Sequence, residues 1–103
     1  MALVRELARR LTADGARERE RAADQAGDRP ARHSPEDGRL LVRVLAEAAA
    51  REPDHAALES QLHALLQLVS FADAASLAPL RAIDAEALPG ALPEYLTDLL
   101  AED

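Results

Sequence analysis

The sequence predicts an all-α protein, a small helical bundle of four to five helices built around a central helical hairpin. Three observations lead there. Of 103 residues 24 are Ala and 18 are Leu, both strong helix formers, while only four are Val and one is Ile. The leucines recur at helical spacing in separate short stretches. Pro and Ser/Asp punctuate those stretches where helices start and stop. Because half of the nominal apolar content is Ala, which buries little area, the core must be small and made chiefly of Leu.

The first stripe is Leu3, Val4, Leu7, Ala8 and Leu11, one apolar face on a helix of about three turns. A helix this short needs something to pack against. The expected organisation is therefore an N-terminal amphipathic helix (1–11), a polar charged linker, partly helical (12–33), and an acidic helical domain (34–103). The linker reading rests on Thr12 to Arg39, where no Leu, Val, Ile, Met, Phe or Tyr occurs. Arg17-Glu18-Arg19-Glu20-Arg21 alternates sign and can continue as a solvated helical arm. Pairs such as Arg17 with Glu20 stabilise such an arm by only tenths of a kcal/mol. Gly27, Pro30, Pro35 and Gly38 break the stretch, and little of it is expected to be buried.

Ser34-Pro35-Glu36-Asp37 is a start signal: a capping serine, proline at the first helical position, and an acid three residues after the cap. Leu40, Leu41, Val44, Leu45 and Ala48 then form one face, ended by Pro53. Asp54 caps the next helix, whose face is Leu58, Leu62, Leu65, Leu66 and Val69. The two, over about 35–52 and 54–72, read as an antiparallel hairpin. Beyond Asp73, Leu77, Pro79, Leu80 and Ile83 make a short helix or two turns. Asp84 caps a single turn, Pro89-Gly90 and Pro93 bracket Ala91-Leu92, and a last helix from Pro93 to about Ala101 buries Leu96, Leu99 and Leu100.

Charge divides the chain. Residues 1–52 carry 11 Arg and 10 acids, whereas residues 53–103 carry Arg81 against nine acids, giving −7 overall. An acidic helical surface repels nucleic acid and anionic membrane and attracts a basic protein. The acceptor face is expected at Glu59, Asp84, Glu86, Glu94 and Asp98, with Tyr95 beside them as an aromatic anchor. The Arg-rich stretch does not argue for nucleic acid, since its acids nearly cancel it and no aromatic is interleaved for stacking.

Catalytic and metal chemistry find few residues. There is no Cys, so no disulfide and no thiolate zinc site, and no Lys. The serines and threonines lie in no nucleophile elbow, and the four glycines in no phosphate loop. His55, Glu59 and His63 follow at i, i+4 and i+8; neighbours can share a metal, but the two histidines lie about 12 Å apart along a helix. The expected protein is non-catalytic, without cofactor or metal. With no signal-peptide core in Met1–Arg10 and no run of about 20 apolar residues, it is expected to be cytoplasmic.

Leu77-Ala78-Pro79-Leu80-Arg81-Ala82-Ile83-Asp84, Leu88-Pro89 and Pro93-Glu94-Tyr95-Leu96-Thr97-Asp98-Leu99-Leu100 resemble the small acidic helical immunity proteins of bacterial polymorphic toxins, over residues 54–100. The resemblance implies a stoichiometric inhibitor that covers a basic site on a cognate toxin. The alternative expectation is a self-associating adaptor or scaffold module, with a homodimer formed through Leu3, Leu7 and Leu11.

Overall fold

A computed structural model describes the backbone of residues 2–101 and the side chains from Val4 to Ala101. Its regular structure is helical throughout: α1 (Ala2–Arg10), α2 (Ala16–Gly27), α3 (Pro35–Arg51), α4 (His55–Gln67), α5 (Ala74–Leu77) and α6 (Leu92–Leu100). Short 3-10 segments at Pro30–Arg32, Val69–Phe71, Ala78–Ala82 and Ala85–Ala87 join them. One hydrophobic cluster takes side chains from all six helices, from Val4 and Leu7 through Ala22, Leu45, Leu62 and Leu77 to Leu99.

Local chemistry sets the helix boundaries. Ser34 Oγ accepts from the Asp37 amide at 3.1 Å, with Pro35 in the first turn, so α3 starts where its signal lies. Asp54 Oδ2 accepts from the Ala57 amide at 2.9 Å and starts α4 directly after the Glu52–Asp54 connection. Asp73 and Ser76 make a reciprocal capping box around the single turn of α5. The chain turns away from α2 at Arg29, whose φ of 57° lies in the left-handed region, just before Pro30.

The described residues form six α-helices where four to five were expected, and α4 packs more extensively on α2 than on its hairpin neighbour α3. Two further expectations need correction. Residues 12–33 are not a mostly unburied linker: α2 fills residues 16–27 and buries Ala22, Ala23, Ala26 and Gly27. Its most extensive packing is against α4. The reason is steric. Small residues at i, i+1, i+4 and i+5 form a smooth face, and at Gly27 the two backbones come so close that a Cβ there would lie 2.9 Å from Ala64 Cα. The second correction is at the end of α4, which stops at Gln67; Val69 sits on the following 3-10 turn and is 41 % exposed.

The N-terminal stripe is covered by its own chain. Val4, Leu7 and Leu11 are buried against the core, with α1 packed on α2 and α3. Burying a leucine contributes about 1.5–3 kcal/mol, which fixes this short helix in place. Leu7 and Leu11 therefore present no free surface for the expected dimer contact, and the side chain of Leu3 lies outside the described residues.

Candidate protein-binding surface

The residues expected to contact a partner fall on three neighbouring elements. Glu59 lies on α4, Glu94, Tyr95 and Asp98 on α6, and Asp84 and Glu86 at the Ala85–Ala87 turn. Both α4 and that turn pack against α6. The five acids are exposed and Tyr95 is half-buried against the core. The Tyr95 ring meets His63 of α4, with centroids 6.4 Å apart and planes tilted by 54°. His63 stands one turn after Glu59, and Asp98 follows Tyr95 by three, so this aromatic contact joins helix segments that each carry an acid.

Among the described residues none of these acids is held in an ion pair. Asp84 has a local task, since its carboxylate accepts from the Glu86 amide at 3.1 Å and caps the turn. Glu94 stands in the first turn of α6, where the helix dipole favours it, whereas Asp98 stands in the last turn, where the dipole opposes a negative charge.

Sequence reasoning missed a buried polar junction elsewhere. Arg19 of α2 grips Glu52 with both arms of its guanidinium: Nε donates to Oε1 at 2.7 Å and Nη2 to Oε2 at 2.8 Å. Gln61 Nε2 of α4 donates to Glu52 Oε1 at 2.8 Å and the Asp54 amide to Oε2 at 3.1 Å. Arg19 Nη1 also donates to the carbonyls of Ala13 and Asp14, both at 2.8 Å. One ion pair thus fastens the α1–α2 connection, α2, the α3–α4 connection and α4. The side chain of Glu52 is 1 % exposed and that of Arg19 15 %. Burial pushes the Glu52 carboxyl up, but hydrogen bonds from Arg19, the Asp54 amide and Gln61 outweigh it and hold it below its ordinary value. The hydrogen bond to Glu52 likewise raises Arg19, against its desolvation. Each carboxylate oxygen already has two donors, so this group is an anchor and has no free lone pair to act as a base. No local motif announces it, because its partners are 33 residues apart.

His55, Glu59 and His63 are exposed on α4, and among the described residues no group of three or more potential ligands converges on a metal position. Ser60 and His63 line a cleft of about 430 Å³ between α2 and α4 together with Asp24 and Asp28. The hydrogen bonds among the described side chains link none of these four to one another. No helix described is long and apolar enough to cross a membrane.

Together the fold and this surface define an all-helical, single-core protein with an acidic flank on α4, α6 and the turn beside α6, whose acids form no ion pair among the described residues. No family model matches the chain, and neither the curated proteins nor the solved structures contain a significant match.

Proposed function

We propose that this chain is a non-catalytic, cytoplasmic protein-binding inhibitor of the immunity or antitoxin type, which docks its acidic flank on a basic partner protein. The observation that carries the reading is charge left without a partner. Among the described residues Glu59, Glu86, Glu94 and Asp98 are exposed and in no ion pair, in a half of the chain whose one Lys or Arg is Arg81. A fold that needed only solubility would do as well with mixed signs. Asp98 adds to the argument, because it stands at the helix end where its own dipole disfavours it. Half-buried Tyr95, braced by His63, supplies a rigid aromatic between the acids. On this reading the acids chiefly accelerate encounter and select against acidic partners, and Tyr95 slows dissociation.

The test is capture from the source organism's lysate on immobilised wild-type chain and on the Glu94→Arg/Asp98→Arg variant, with folding of both checked by circular dichroism. The reading expects one basic protein on the wild type, released by salt, and at least tenfold less on the variant. Equal capture by both would refute it.

A further inference from the structure

A second charged surface lies on helices that the acidic flank does not use. Val4 and Arg5 of α1 and Glu36, Asp37, Arg39, Leu40 and Arg43 of α3 line a cleft of about 420 Å³. Val4 is buried beneath it, Leu40 and Asp37 are half-buried, and the rest are exposed. Arg9, Arg10, Arg17 and Arg19 all form ion pairs with acids of this chain, but among the described residues none of the five charged side chains lining the cleft does.

The order of charge along α3 is the telling feature. Asp37, Leu40 and Arg43 follow at i, i+3 and i+6, an acid and a base equally spaced about an apolar residue, at about 4.5 Å of rise on either side. Such a ridge is its own complement under a two-fold rotation. Two copies of α3 crossing near the perpendicular at Leu40, with these i, i+3, i+6 ridges laid along one another in opposite directions, place each Asp37 opposite the other copy's Arg43 and join the two half-buried leucines. Glu36 lies one residue from Asp37 and reinforces the acidic end, while Arg5 and Arg39 also line the cleft. An acidic peptide fits this cleft less well, because Glu36 and Asp37 would repel it. Solvent satisfies the charges but leaves Leu40 half uncovered.

We infer that the α1–α3 cleft is an isologous docking surface for a second copy of this chain, centred on Leu40 and held by reciprocal Asp37–Arg43 pairs. This dimer contact replaces the one expected from Leu7 and Leu11, which are buried within the chain. It shares no residue with the acidic flank, so the two readings stand or fall separately, and a dimer would present that flank twice.

Multi-angle light scattering and sedimentation equilibrium of the full chain test it, at concentrations up to about 1 mM so that a millimolar dissociation constant still registers. The wild type is expected to reach twice the chain mass, with dimer lost as salt is raised. Asp37→Arg alone and Arg43→Asp alone are each expected to remain monomeric. Mixed in equal amounts, they are expected to recover a dimer, because every crossing pair is then opposite in sign. The double swap D37R/R43D in one chain is expected to recover the wild-type dimer. An unfolded variant could not give this recovery, so loss of folding does not imitate the result. A wild type that stays monomeric throughout, or single variants that dimerise as well as it does, overturns the inference. So does a mixture that stays monomeric, and the arginines then belong to solvent or to another partner.

Discussion

Removing the carboxylate of Glu52 should be the most damaging single truncation of a polar side chain in this fold. In Glu52→Ala the guanidinium of Arg19, 15 % exposed, loses the acceptor of two charge-assisted hydrogen bonds. Gln61, fully buried, loses the acceptor of its amide while its Oε1 already lacks a donor. Breaking a buried ion pair from one side costs about 3–5 kcal/mol. Arg19 keeps its bonds to the carbonyls of Ala13 and Asp14 and some contact with water, so the lower end, about 3 kcal/mol, is expected. That is a large part of the 5–15 kcal/mol typical of a domain and corresponds to a fall in Tm of about 10–20 °C. Urea denaturation of Glu52→Ala, Arg19→Ala and the double variant completes the cycle. Because each single change strands the other group, the double variant should cost less than the two singles added, with a coupling of about 1.5 kcal/mol or more. Additive losses would show that the pair is incidental to stability and would refute the reasoning.

The remaining predictions concern the same junction and the close helix contacts. The folded Glu52 carboxyl is depressed, so the unfolded chain takes up a proton first: the stability from this group is complete above the unfolded value of about 4.3 and is lost as pH falls through the lower folded one. The stability gap between wild type and Glu52→Gln, read from urea titrations, should therefore be constant near neutral pH and narrow in acid below about pH 4.3. Gln61→Leu removes one hydrogen bond together with an unsatisfied buried oxygen, and urea denaturation should find it within about 1 kcal/mol of wild type. Gly27→Ala and Gly38→Ala should each destabilise by about 1–3 kcal/mol in thermal melts despite alanine's better helix propensity. The new methyl would meet backbone at Ala64 Cα in the first case, and the ring of Phe71, 2.3 Å from its Cγ, in the second.

What the sequence disclosed and what it hid follow a physical line. Helix starts marked by a capping side chain are legible locally: Ser34 and Asp54 cap α3 and α4 as their positions before the leucine stripes indicate, and the leucines of α6 face the core. The burial of α2 was hidden because its buried face is built of Ala22, Ala23, Ala26 and Gly27, which carry no large apolar signal. Its burial depends on the close approach of α4 at Ala64, a tertiary fact that a hydrophobicity pattern cannot express. Arg19 and Glu52 were hidden for a related reason. Each sits among other charges in sequence, and only the fold separates this pair from the solvated ones. At the candidate surface, the exposure of the five acids was legible because none falls on a leucine stripe. The bracing of Tyr95 by His63 was not, since it requires α4 and α6 to lie side by side.

Charge on α4, α6 and the adjoining turn is proposed to guide a basic partner onto this protein, and such steering leaves its mark on the association rate. Stopped-flow association with the captured basic protein, measured from low to high ionic strength, tests it most directly. Electrostatic steering predicts an association rate that falls by about tenfold or more as salt screens the acids, with a much smaller change in dissociation. It also predicts that Glu94→Arg/Asp98→Arg flattens the dependence. An association rate that is unchanged by salt in the wild type, or equally steep in the variant, would contradict the account and leave these acids a solubility feature of the fold.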